Sequence, residues 1–380
     1  MDPSALSDGS RGWRSRTPAR PHARTPAPPP MRRLLPILAL AALPSTMRAQ
    51  QVERIVLEGR DVVVHNLVGT LRVEGGPGDR IVVEVTRKGR DGGRLTLATG
   101  MVRGRETLRV LYPGDRITYS EVDWFGHTSF TVNADGTLDH DGERDGWRDR
   151  RRVDVDGRGA GLDAHADLRV LVPRGATLAL HLGVGQTTID NVEAKLSVES
   201  EAGRVRASRV RGSLALEAGS GGVEVSDVTG DLTVESGSGG TTVNGVRGGA
   251  VHLEIGSGGL KGGTFDATEL VVEAGSGGVR LSDVKAGRLR VETGSGGSDV
   301  ELLGAATDVA MEAGSGGVTL RLPESASAAV DIEASSGSIH SDFEVKTARL
   351  ERRELHGTIG SGTGRIRIES GSGTVRLLKN

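Results

Sequence analysis

One phrase dominates the sequence. Glu-x-Gly-Ser-Gly-Gly recurs at Glu217–Gly222, Glu235–Gly240, Glu254–Gly259, Glu273–Gly278, Glu292–Gly297 and Glu312–Gly317. Weaker copies begin at Glu199, Glu333 and Glu369. From Glu199 to Glu333 successive glutamates lie 18, 18, 19, 19, 19, 20 and 21 residues apart. The last gap is 36, about two periods, with Gly360-Ser361-Gly362-Thr363-Gly364 read as a degenerate turn inside it. A fixed period of this length is the signature of a repeat architecture.

Within a period the apolar residues alternate, as in Val279, Leu281, Val284, Leu289 and Val291, or Val223, Val225, Val228, Leu232 and Val234. Alternation of period two describes strands with one buried face. Each unit therefore reads as two short strands and two turns, the Gly-Ser-Gly-Gly turn being the tighter. Such a unit cannot bury its apolar face alone, so neighbours must stack. The fold class expected is all-β: a parallel β-helix-like β-solenoid of about 19-residue coils, with a loop-rich insertion. A meandering antiparallel sandwich would share the alternation but would not hold coil length so constant.

Composition agrees. The chain has 58 glycines among 380 residues and nine aromatics. Stacked turns bring backbones together and call for glycine, while a thin two-strand coil has room mainly for Val, Leu, Ile and Ala. Collagen is excluded, because the glycines lack a three-residue period. With no cysteine there is no disulfide, thiolate nucleophile or thiolate metal site.

The first 30 residues are rich in Pro and Arg and poor in apolar residues, which marks a disordered leader or a mis-assigned start at Met1 rather than Met31. Residues 31–49 carry a basic Met31-Arg32-Arg33, an apolar run from Leu34 to Leu43 and a cleavage site after Ala49, the pattern of a signal peptide. Residues 1–50 hold eight Arg and two Asp, so the remainder has 40 basic and 48 acidic residues, a net charge of −8 against −2 for the whole chain. An acidic exported chain has no basic footprint for nucleic acid, and no later apolar run has membrane length. The localisation expected is periplasm, cell surface or medium.

Residues 50–112 form a strand-rich N-terminal part of the solenoid, with Ile55–Leu57, Val62–Val64, Leu71–Val73 and Ile81–Val85. Residues 113–167 are rich in Asp, Arg and Gly and read as a flexible insertion. Residues 168–380 are the repeat domain.

The Glu-x-Gly-Ser-Gly-Gly units, the strand entry Val172-Pro173-Arg174-Gly175-Ala176 and the closing Glu369–Gly373 turn before Val375–Leu378 resemble a family of exported bacterial β-solenoid domains called putative adhesins. The resemblance covers roughly residues 55–110 and 168–380 and is architectural: it implies the fold and an undefined binding or scaffold role, and brings no catalytic residues.

For chemistry, the glutamates Glu217, Glu235, Glu254, Glu273, Glu292 and Glu312 are the sharpest ladder. Stacked in register they sit ~5 Å apart, where like charges repel. Turn amides and turn serines are the expected structural compensation, with bridging cations the alternative. Calcium-binding β-rolls need an aspartate after the glycines; Val223, Thr241, Leu260 and Val318 stand there instead, and no metal or other cofactor is expected. Five aromatics crowd one stretch: Tyr112, Tyr119, Trp124, Phe125 and Phe130. Exposed, they would stack on sugars or anchor a partner; folded back, they would plug the solenoid's side or end. Asp123, His127, Asp135, Asp139, His140 and Asp141 are ligand types without ligand spacing. No nucleophile elbow or phosphate loop occurs. Arg288, Arg290, Asp299 and Glu301 could imitate a polysaccharide-cleaving groove, but surface charge pairing is the default. The expectation is a non-enzymatic scaffold or binding module whose partner is an envelope glycan or protein, with end-to-end or homo-oligomeric contact; a polysaccharide lyase or hydrolase on the same solenoid is the competitor. The last strand, Thr374–Leu378, is expected to have its edge covered by residues 340–365 or by another molecule.

Overall fold

In a computed structural model, residues 52–120, 126–138, 150–304, 308–351 and 353–380 are described. The leader and signal-peptide assignments fall outside them. No described helix is long and apolar enough to cross a membrane.

The repeat forms the expected β-solenoid. Each coil contributes two parallel ladders. In one, Leu196 pairs with Leu214, Leu214 with Leu232, Leu232 with Val251, and Val251 with Leu270. In the other, Val205 pairs with Val223, Val223 with Thr241, Thr241 with Leu260, and Leu260 with Val279. Alternation decides which residues enter: along Val279–Thr293, Val279, Leu281, Val284, Leu289 and Val291 are buried while Arg280, Lys285 and Arg290 face outward. The narrow interior is filled by Val, Leu, Ile and Ala.

The second ladder bends at one left-handed residue per coil, at Asn191, Arg209, Asp227, Gly245, Thr264 and Asp283, with φ of 53°, 53°, 55°, 71°, 59° and 53°. Asn, Asp and Gly tolerate this conformation best. The pairing skips these residues, so Ser208 and Val210 pair on either side of Arg209.

At both ends the coils stack out of sequence order. The strand Asp61–Gly75 lies between His165–Val172 and Ala176–Ala202, pairing in parallel with each, although it precedes both in the chain. At the other end Gly364–Ser370 pairs with Asp308–Ala313 on one edge and with Ala328–Ala334 on the other. Val375–Lys379 likewise sits between Val318–Leu322 and Ile339–Ser341. The C-terminal coil is thus inserted beneath a coil made earlier in the chain. The turn read at Gly360–Gly364 is present, but the two-period reading of the 36-residue glutamate gap is corrected: the segment before that turn is an antiparallel hairpin, Lys346–Glu351 with Glu354–Ile359, laid against Ala328–Ala334. The final strand's edge is covered, by Ile339–Ser341.

Antiparallel strands close the N-terminal end as well. Thr96–Val102 pairs with Arg105–Leu111, and Ile81–Lys88 and Val52–Leu57 extend outward from His165–Val172. The segment 113–167, read from sequence as a flexible insertion, in part folds into a second sheet of three strands, Arg116–Thr118, Arg151–Asp156 and His127–Val132. Its short apolar patches explain the difference: Ile117, Val132, Val153 and Val155 join the main core.

Candidate functional site

The aromatic stretch is a plug where it is described. Tyr112, Tyr119 and Phe130 are buried, so the reading of these three as an exposed platform is corrected; Trp124 and Phe125 lie outside the described residues. The Tyr112 hydroxyl is 2.8 Å from both Asn66 Oδ1 and Val68 O as donor, and accepts from Val68 N. Full burial pushes its phenol far above the ordinary tyrosine range. Tyr119 meets the His165 ring edge-on at 5.0 Å. Phe130 lies against Gly183, where a Cβ would stand 2.6 Å from the ring. These rings seal the flank of the first coils.

The ligand-type residues beside them are dispersed. His127 Nδ1 is 2.7 Å from Asp156 Oδ1, and Asp135 accepts from Thr137 within its own turn. Asp123, Asp139, His140 and Asp141 lie outside the described residues. The charges that could have imitated a catalytic groove form surface ion pairs: Arg288 with Glu269 and Asp308, Arg290 with Glu292, Arg321 with Asp299.

The glutamates do stack in register, and their column is longer than the sequence suggests. Glu199, Glu217, Glu235, Glu254, Glu273, Glu292 and Glu312 pair in turn. The out-of-order coils and the hairpin then continue it through Glu369, Glu333, Glu354 and Glu351. Eleven carboxylates thus stand in one file, about 48 Å long at a strand spacing of ~4.8 Å. At its N-terminal end the file passes to His181, then His65, then Arg109. The two imidazoles are stacked 4.3 Å apart, and His181 Nδ1 is 2.7 Å from Glu199 Oε2.

The turn groups expected to compensate this charge are engaged elsewhere. The amides of Ser238 and Ser257 donate to the carbonyls of Gly219 and Gly237 one coil below, and the Ser220 hydroxyl donates to Glu201 O. Compensation comes instead from interleaved cations: Arg290 pairs with Glu292, and Arg367 with Glu369 at 2.6–2.8 Å. Beside the column, between the carboxylates and the glycine turns Gly256, Gly275, Gly294 and Gly314, runs an open groove of about 660 Å³.

Another groove, of about 760 Å³, runs along the far side of the turns, floored by Gly222, Gly240, Gly259, Gly278 and Gly297 and edged by Arg204, Lys261, Arg280 and Asp299. Within the motif the glycines therefore differ. A Cβ on Gly239 would fall 1.5 Å from Gly221 O, whereas one on Gly240 would meet nothing within 4 Å. Chain packing demands the first and leaves the second free.

Residues 211–378 match the model of the Toastrack DUF4097 family. The repeat region is thus similar to a β family of undefined role. No curated protein sequence is significantly similar to the chain. A solved structure titled a putative cell adhesion protein, from Clostridium sporogenes ATCC 15579, is 11% identical, aligned over 87% of this chain and 99% of its own, with a TM-score of 0.21. At that score the likeness carries no argument.

Proposed function

We propose that the protein is an exported, non-enzymatic binding module or scaffold of the cell envelope, and that its working surface is the glutamate column with the groove beside it. The observation that carries this reading is the file of eleven register-paired carboxylates. Like charges ~4.8 Å apart destabilise a ladder, so a chain selected only for folding gains nothing from placing glutamate there coil after coil. A repeating partner does gain. A polymer with hydroxyl or cationic groups at regular spacing meets an acceptor at every coil, and weak contacts add by multivalency. An envelope glycan or a basic protein segment has that chemistry.

The edge strands suit end-to-end contact. Val52, Val56 and Met101, exposed apolar residues, all lie on outermost strands of the N-terminal end. Such edges are templates for strand pairing.

A glycan array and a lyase and hydrolase screen on the chain lacking residues 1–49 test the reading. Binding without turnover, abolished in a triple Glu235→Gln, Glu254→Gln, Glu273→Gln variant, supports it. Turnover of any polysaccharide, or binding indifferent to the triple change, overturns it.

A further inference from the structure

The glutamate column ends on the C-terminal hairpin, and there its chemistry changes. Among the described residues, Asp331, Glu333 and His356 bring one ligand atom each to within 4.8 Å of the others. Two strands supply them. Asp331 and Glu333 project from the same outer face of Ala328–Ala334, and His356 stands directly opposite Asp331 on the antiparallel strand Glu354–Ile359. His356 Nδ1 lies 2.7 Å from Asp331 Oδ1, and His356 Nε2 lies 3.8 Å from Glu354 Oε2. Asp331 Oδ1 is closed to solvent, with the imidazole nitrogen as its ion-pair partner. The trio thus gathers one imidazole and two carboxylates around one point.

We propose that Asp331, Glu333 and His356 bind a divalent first-row transition ion, with zinc as its reference member. The donor set is one imidazole and two carboxylates, which suits Zn²⁺, Co²⁺ or Mn²⁺ better than the all-oxygen preference of Ca²⁺ or Mg²⁺. An ion ~2.1 Å from both Asp331 Oδ1 and His356 Nδ1 would subtend about 80° at their separation, close to an octahedral edge. Local charge favours a cation. Glu354 and Glu369 flank the trio, and the neighbouring cation Arg367 is already held by Glu369. The consequence is structural. The ion would clasp the hairpin strand carrying His356 onto the outermost parallel strand, at the point where the stack needs closing.

The test uses the chain from residue 50 onward without a polyhistidine tag, stripped with EDTA and titrated with zinc chloride by calorimetry. Cobalt absorption in the visible serves as a second, inner-sphere readout. One equivalent of zinc is expected, raising Tm, with calcium and magnesium giving no rise. His356→Gln should weaken zinc binding at least ~10-fold, since even removing a partner of a ligand costs 10–100-fold, and should remove the cobalt band. His340→Gln, which alters an exposed histidine 3.2 Å from Asp342, should change neither. Should His356→Gln fail to fold, Asp331→Asn is read the same way. No one-to-one zinc binding overturns the proposal. So does zinc binding that survives His356→Gln but disappears when Glu254 and Glu273 become glutamine, which would place the cation on the column.

Discussion

Neighbouring glycines in one motif should respond in opposite ways to the same methyl group. In Gly239→Ala the new Cβ would lie 1.5 Å from the carbonyl oxygen of Gly221 and 2.3 Å from its carbon. Both obstacles are backbone. Restoring a tolerable 3.0 Å contact means moving one coil about 1.5 Å from the next, against a strand spacing of ~4.8 Å. The adjoining bonds Gly237 N to Ala218 O (2.9 Å) and Ser238 N to Gly219 O (3.2 Å) would not survive that shift. Two lost bonds at about 1 kcal/mol each, with 1–3 kcal/mol for overpacking, give a destabilisation of about 3–5 kcal/mol. Gly240→Ala meets no atom within 4 Å and sits outside the left-handed region. Its unfolded-state entropy effect should stabilise by about 0.4–1 kcal/mol. Guanidinium unfolding followed by far-ultraviolet circular dichroism measures both. Because solenoids can open coil by coil, amide exchange at the flanking strands should localise the Gly239→Ala damage. Equal effects for the two substitutions, or a reversed order, would refute the reasoning.

Other substitutions probe separate parts of the account. Tyr112→Phe removes the hydroxyl that serves Asn66 and Val68 inside the plug, and should destabilise by about 1–3 kcal/mol in the same denaturation assay. For Asp167, burial alone would raise the carboxyl, but hydrogen bonds from Lys88 and Thr70 outweigh it and hold the group below the ordinary aspartate range. A lowered folded-state value stabilises above the unfolded aspartate pKa of ~3.9 and is lost as pH falls through the folded value. Asp167→Asn should therefore flatten the acid limb of a stability–pH curve; an unchanged limb would exclude this pair as a contributor. Glu254→Gln removes one charge from the middle of the column and should raise Tm at low ionic strength, with the gain shrinking as salt is added. A gain independent of salt would point away from charge repulsion.

The solenoid was legible because its cause is local: alternation sets the buried face and the turn motif sets the period. The glutamate column was legible for the same reason, since register follows once coil length is constant. What stayed hidden depends on contacts between residues far apart in the chain. Spacing from Glu333 to Glu369 resembles two ordinary periods, and nothing in it signals that the later coil slides beneath the earlier one. The sheet within 113–167 was missed because its strands are short and their apolar residues, such as Ile117 and Val155, are completed by a core from other segments. Tyr112 and Phe130 looked like surface candidates because they lie among polar residues. Their partners, Asn66 and Gly183, are distant in sequence. The trio of Asp331, Glu333 and His356 has no recognisable spacing either, as it exists only once the hairpin folds back.

The length of the carboxylate file, the position of the hairpin and the site at its end all depend on the coil order at the C-terminal end. Because the chain has no cysteine, engineered pairs report that order cleanly. Arg376 lies opposite Thr319 on one side and His340 on the other, within the ~4.4–6.8 Å that a disulfide spans, so Thr319→Cys with Arg376→Cys should cross-link under mild oxidation. Thr319 and His340 are then separated by two strand spacings, ~9.6 Å, and Thr319→Cys with His340→Cys should remain reduced. Coils stacked in sequence order would reverse the result, cross-linking the second pair and leaving the first apart.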